Sequence, residues 1–121
     1  MKTENEISNE IRAALNTRNV RAWRNNVAKI QHQGRWLNFG IPGPGGSDLI
    51  GLTTLTITPD MIGKRVAVFT AVECKSATGK PSSDQVAFIE FITSMGGIAG
   101  IARSADEALY LISNYSPITA L

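Results

Sequence analysis

The stretch Val66-Ala67-Val68-Phe69-Thr70-Ala71-Val72-Glu73-Cys74-Lys75 decides how this chain is read. Its first seven residues are β-branched, aromatic or small, which predicts a buried strand over residues 66–75. Side chains alternate along a strand, so Glu73 and Lys75 share one face and Val72 and Cys74 the other. A carboxylate and an ammonium at the end of a buried strand are costly to desolvate unless something uses them. A hard divalent cation held through oxygen would do so, with Glu73 and an incoming Asp48, from Gly45-Gly46-Ser47-Asp48-Leu49, as its carboxylates. The Cys74 thiol points away from that face and is read as core.

Working outward, 121 residues suffice for one compact domain and not for two. Residues 1–121 are therefore taken as a single domain, with a loose tail over about 114–121. A hydrophobic content of 43% with 18% charged residues suits a soluble globular protein. No apolar stretch is long enough to cross a bilayer. The start, Met1-Lys2-Thr3-Glu4-Asn5-Glu6, is polar and acidic, unlike a signal peptide, so the cytoplasm is the expected location. A single cysteine excludes an internal disulfide and a cysteine-rich zinc site.

A net charge of +2 says little, but its distribution says more. No Asp or Glu occurs between residues 11 and 47, where Arg12, Arg18, Arg21, Arg24, Lys29 and Arg35 lie among Trp23, His32 and Trp36. An acid-free basic segment with interleaved aromatics suits a phosphate backbone. The plainer reading is an ordinary solvated face. Trp23 and Trp36 are read as core or interface ahead of base-stacking platforms.

The remaining pattern predicts an amphipathic helix over residues 4–17, with Ile7, Ile11, Ala14 and Leu15 at helical spacing and Thr3 with Glu6 as a capping box. Short strands follow near 20–23 and 27–31, then a turn at Gln33-Gly34-Arg35 and a Gly/Pro-rich loop over 39–46. Another strand starts at 48 and could continue to 57. After the strand at 66–75, Ser82 or Ser83 caps a second helix that Phe88, Ile89, Phe91, Ile92 and Met95 bury and Gly96-Gly97 stop. A strand over 98–102 and a third helix, capped by Ser104 with Glu107, complete the order. Helix, strands, helix, strand, helix predicts a mixed α/β sandwich, with a crossover from the 66–75 strand through the second helix to 98–102.

In chain order, Glu4-Asn5-Glu6-Ile7, Trp23-Arg24-Asn25-Asn26, Gly45-Gly46-Ser47-Asp48-Leu49-Ile50-Gly51 and Val72-Glu73-Cys74-Lys75 are followed by Lys80-Pro81-Ser82-Ser83-Asp84-Gln85-Val86-Ala87-Phe88 and Gly96-Gly97-Ile98-Ala99-Gly100-Ile101-Ala102-Arg103-Ser104. This series resembles the virus-type replication-repair nuclease domain (VRR-NUC) of the PD-(D/E)XK nuclease superfamily over nearly the whole chain. A lone Glu-x-Lys is weak; Gly-Ser-Asp, Glu-x-Lys and a helix-opening Gln in this order are a strong joint signal. The resemblance implies an α/β, restriction-endonuclease-like core, a central mixed β-sheet flanked by helices. Members of this size resemble stand-alone phage or mobile-element modules, which implies a bacterial host cytoplasm. Some are similar to Holliday-junction resolvases, which act as dimers.

The roles implied by the resemblance are specific. Asp48 and Glu73 bind Mg²⁺ or Mn²⁺, with the Cys74 backbone carbonyl as a further ligand. Lys75 positions the attacking water or stabilises charge on the phosphate, and Gln85 orients Lys75 or the water. Glu4 is the first choice for the leading-helix acid, against Glu6, which has a capping role, and Glu10. Arg24 and Asn25 face phosphate near the metal, and Arg35, Lys80 and Ser83 flank the cleft. Arg103 contacts DNA or pairs with an acid. His32 has no role as a general base, since the chemistry requires none. The partners implied are branched or duplex DNA and a second copy of the chain, with no membrane and no organic cofactor. Leu109 and Leu111, or Tyr115 and Ile118 in the tail, offer apolar surface for the dimer. The expected activity is metal-dependent cutting of DNA, selective for branched substrates. The alternatives are a general or nicking nuclease of the same fold, a metal-dependent RNA nuclease, or a DNA-binding subunit that cuts nothing.

Overall fold

The computed structural model describes residues 1–17, 19–41 and 45–115. Its architecture is mixed α/β, in two compact units, Met1–Leu55 and Thr56–Leu121.

The first unit opens with α1 (Glu4–Leu15), whose N-terminus is closed by the expected capping box: the Thr3 hydroxyl accepts from the Glu6 N–H, and the Glu6 carboxylate accepts from the Thr3 N–H. At the other end, the Asn16 side chain accepts from the Ala22 N–H at 2.8 Å and ties the helix to β1 (Val20–Arg24). β1 pairs antiparallel with β4 (Leu49–Thr53), Ala22 opposite Gly51. β4 stops at Thr53 because that residue is opposite Val20, where β1 begins, so the strand does not run on to 57.

Between these strands lies a separate antiparallel pair, β2 (Ala28–His32) and β3 (Arg35–Phe39). Gln33 and Gly34, at φ 49° and 75°, form the two-residue loop. Positive φ at both positions is the type I′ geometry, whose twist matches that of paired strands. The sequence reading placed the turn but no strand at 35–39. A glycine between two short β-prone runs is the signal that identifies the return strand.

In the second unit, β5 (Thr70–Cys74) runs parallel to β6 (Ile98–Ala102), joined through α2 (Ser83–Ser94). The expected strand over 66–75 is thus shorter. Its partner sets the limit: Thr70 lies opposite Ile98 and Cys74 opposite Ala102, with Gly96-Gly97 before β6 and the cap of α3 (Ala105–Ser113) after it. Ser82 caps α2 with Gln85 as its reciprocal partner, while Ser104 caps α3 through the Glu107 N–H.

Among the described residues the strands form three two-stranded sheets rather than one central mixed sheet. The core of the second unit centres on β6 and Ile92, which is fully buried. Gly100 lets α3 close on β6, since a Cβ there would come within 2.5 Å of Leu111 Cδ2. Phe88, expected inside, is 42% exposed, and Val72 and Cys74 face outward because the helix contacts lie on the other side of β5. The tail is anchored as far as Tyr115, whose hydroxyl donates to the Gly96 carbonyl at 2.6 Å. The rest of the expected loose tail, with Ile118, lies outside the described residues, as does Arg18.

Ile92→Ala removes the one large side chain that is fully buried among the described residues. It is expected to lower stability by about 2–5 kcal/mol, read as a lower urea midpoint with an unchanged m-value.

Candidate functional site

In the first unit, a cleft of about 480 Å³ is lined by Glu4, Asn5, Ser8, Arg24, Asn25, Asn26, Val27 and Asp48. Four residues predicted from the sequence, Glu4, Arg24, Asn25 and Asp48, therefore share one cavity. The competing helix acids are committed elsewhere: Glu6 closes the capping box, and Glu10 pairs with Lys2 at 2.8 Å. Among the described residues the carboxylates of Glu4 and Asp48 have no hydrogen-bond or ion-pair partner.

Two asparagines on α1 hold Arg24. Its Nη2 donates to Asn5 Oδ1 at 3.1 Å and to Asn9 Oδ1 at 2.9 Å. These asparagines stand four residues apart on one helix face. The sequence carries that spacing, but nothing in it marks the pair as a guanidinium seat. Arg24 Nε and Nη1 have no hydrogen bond among the described residues, so donors remain for an anion.

Asn25 sits differently from its expected place at a phosphate. It is buried, at 8% exposure. Its Nδ2 donates to the Ile41 and Ser47 carbonyls at 3.1 and 3.0 Å, and its Oδ1 accepts from the Ile41 N–H at 2.9 Å. Its backbone N–H donates to the Asp48 carbonyl at 2.8 Å. Both amide hydrogens are committed to backbone, which leaves none for a phosphate. Asn25 instead fixes the segment that carries Asp48 and the base of the β2–β3 hairpin. Gly40 completes this seat at φ 78°, where a Cβ would lie 2.6 Å from the Asn26 carbonyl oxygen and 2.8 Å from Asn25 Oδ1. Of the adjoining Gly/Pro loop, residues 42–44 lie outside the described residues.

Arg35 stands beside the turn of the hairpin, exposed and opposite His32. Trp36, read as core or interface, is 59% exposed, with Lys29 Nζ 5.1 Å from its ring centroid. A two-stranded ribbon has too little depth to bury an indole.

The second unit holds the Glu-x-Lys pair. Alternation places Glu73 and Lys75 on the face of β5 toward α2, both partly buried. Lys75 Nζ lies 3.6 Å from Glu73 Oε1. Gln85 Nε2 donates to the same oxygen at 2.9 Å, and Gln85 Oε1 accepts from the Ser82 N–H at 2.9 Å. Gln85 thus closes a capping box and holds Glu73, rather than orienting Lys75. The Ser-x-x-Gln spacing of Ser82-Ser83-Asp84-Gln85 carries the capping half of that arrangement. Glu73 Oε2 has no hydrogen bond among the described residues.

Arg103 donates to the carbonyls of Ser76 and Gly79, so it secures the loop after Lys75 instead of pairing with an acid. Lys80 and Ser83, beyond that loop, are exposed. Cys74, read as core, is exposed for the reason given above.

Among the described residues no group of three or more His, Cys, Asp or Glu side chains could hold a metal ion. Asp48 in the first unit and Glu73 Oε2 in the second each offer carboxylate oxygen with no partner among the described residues. As donors they suit a hard divalent cation.

The chain matches the family described as the VRR-NUC domain over residues 2–106. No curated protein and no solved structure matches it.

Asn25→Ala leaves the Ile41 N–H and two carbonyls without their partner. The expected cost is about 1–3 kcal/mol, seen as a lower melting temperature together with faster hydrogen exchange at the Ile41 amide.

Proposed function

Because the chain belongs to the VRR-NUC family, a nuclease family, we propose that it is a divalent-metal-dependent endonuclease that hydrolyses phosphodiester bonds in DNA, selective for branched substrates such as four-way junctions. The observation that carries this reading is the Glu73, Lys75 and Gln85 arrangement. Gln85 and Lys75 both hold Oε1 of Glu73, and Oε2 stays available. A carboxylate prepared in this way suits metal ligation.

The family match runs through both compact units, which supports a single nuclease domain with a PD-(D/E)XK core. In this reading Asp48 and Glu73 hold Mg²⁺ or Mn²⁺, with the Cys74 carbonyl as a further ligand. Bound there, the cation would polarise the scissile phosphate and acidify the attacking water. Lys75 stabilises the charge that builds on the phosphate. Gln85 keeps the Glu73 carboxylate in one orientation. Glu4 adds an acid to the cleft that Asp48 lines, and Arg24, seated by Asn5 and Asn9, offers its free N–H groups to the DNA backbone. Arg35, Lys80 and Ser83 are exposed and suit further backbone contacts.

A two-fold dimer would present two sites to symmetric strands of a junction. Exposed Leu109, Tyr110 and Ile112 on α3 favour that helix as the apolar surface. Leu111, also considered for it, packs over Gly100 instead. No helix of the described residues is long and apolar enough to cross a membrane, and a bacterial host cytoplasm remains the proposed setting.

Labelled four-way junction, linear duplex and single-stranded DNA, each with Mg²⁺, Mn²⁺ or chelator, test the proposal. Paired symmetric cuts on the junction alone, lost with chelator, are expected. Cutting of every substrate would remove the branch preference, and DNA binding without cutting by folded protein would favour a binding subunit. Lys75→Ala is expected to abolish cutting and leave binding largely intact, because the lysine acts in the transition state. Retained cutting with lost binding would contradict its role.

A further inference from the structure

The β2–β3 hairpin has a sidedness that the nuclease reading does not use. Register and alternation put Lys29, Gln31, Trp36 and Asn38 on one face. The other face carries Ala28, Ile30, Leu37 and Phe39, with His32 and Arg35 beside the turn. The residues between 28 and 39 include Lys29, His32 and Arg35 and no acid. Apart from Ala28, every residue of the two strands is exposed. Asparagine is disfavoured in strands, yet Asn38 stands on this ribbon directly opposite Lys29. Lys29 lies over the Trp36 ring, which holds its ammonium against the face instead of leaving it to wander in solvent.

We propose that this hairpin is a duplex-reading ribbon that lays its Lys29, Gln31, Trp36 and Asn38 face into the major groove of double-stranded DNA. The inference rests on the nuclease reading for its substrate class and adds the element and the face that grip the duplex. Two antiparallel strands fit that groove, which is about 12 Å wide. Five residues of extended strand cover about 17 Å, the length of about five base-pair steps. The amides of Gln31 and Asn38 can both donate to and accept from base edges, as groove recognition requires. Lys29 supplies charge for the phosphates from the groove face and Arg35 does so from beside the turn, and the absence of acids removes repulsion. The base of the hairpin is tied by hydrogen bonds: Asn25 binds Ile41 just after β3 and, through Ser47 and Asp48, the segment that carries the cleft's aspartate. A ribbon held there sets the position of Asp48 relative to the duplex it grips.

The test uses full-length Asp48→Asn protein, so that binding is measured without cutting. Anisotropy titrations on labelled linear duplex and on single-stranded DNA of equal length are run across a salt series. The background is compared with added Lys29→Ala, Arg35→Ala, Gln31→Ala with Asn38→Ala, and Trp36→Ala. Each cation lost is expected to lower the slope of log K against log salt on duplex by about 0.9. The paired amide variant is expected to weaken duplex binding at least tenfold with the slope unchanged. Because these side chains are exposed, folding should be unaffected, which circular dichroism verifies. Charge reversal, Lys29→Glu, provides a second and stronger readout of the same contact.

Unchanged slopes and affinities on duplex would overturn the proposal. So would losses confined to single-stranded DNA on Trp36→Ala, which would make the ribbon a stacking platform. Failure here is distinguishable from failure of the nuclease reading. If wild-type protein cuts DNA in a metal-dependent way while the ribbon variants bind normally, the ribbon falls and the nuclease stands. If wild-type protein never cuts but the ribbon variants lose duplex binding, the reverse holds.

Discussion

Parallel strands cannot be joined by a tight turn, and this constraint organises the chemistry of the second unit. For β5 to pair with β6, the chain must leave the end of β5, cross over through a helix and return. The crossover helix is α2, and its first turn carries Gln85. Parallel pairing therefore brings that amide within 2.9 Å of Glu73, the acid at the end of the strand just left. The same alternation that sends Glu73 toward α2 sends Lys75 there as well. A carboxylate gripped through one oxygen, with the other free, follows from strand geometry and a capping box together.

The first unit depends on a different interaction, the buried Asn25 side chain. A buried amide without partners is costly, so its environment must satisfy it, and here backbone groups from two segments do so. Those segments are the far side of the hairpin and the approach to Asp48. One residue thereby fixes both the aspartate and the base of the exposed basic hairpin. Asn5 and Asn9 do comparable work for Arg24, as neutral acceptors that seat a guanidinium without neutralising it.

Local features were legible in the sequence. Thr3 with Glu6, Ser82 and Ser104 each cap the helix expected of them, because capping needs only residues three apart. The 98–102 strand and the crossover to it were also clear from an apolar run between glycines and a cap. Pairing length was not legible: β4 and β5 end where their partners end, and no single-strand pattern encodes a partner's length. The central mixed sheet is an implication of the family resemblance, whereas among the described residues the strands form separate pairs. At the candidate site, residue types and spacing single out Glu73, Lys75 and Asp48, and the family resemblance adds Arg24, but neither gives the direction in which a polar side chain spends its hydrogen bonds. Asn25 is expected at a phosphate and Arg103 at DNA or an acid; both instead hold backbone carbonyls, since an asparagine or arginine does either equally well until its neighbours are known.

The two units thus divide the work proposed for this nuclease. One supplies a cleft with Glu4, Asp48 and a seated Arg24 beside a basic ribbon; the other supplies a prepared glutamate with its lysine. The central proposal is that Asp48 and Glu73 each contribute to divalent-cation binding, and it is tested most directly without any reaction. Calorimetric titration of Mn²⁺ into wild-type protein, Asp48→Asn and Glu73→Gln, with folding checked for each, makes that measurement. Saturable binding by wild-type protein, lost or greatly weakened in both variants, is the predicted result. Equal Mn²⁺ affinity in all three proteins would contradict the claim.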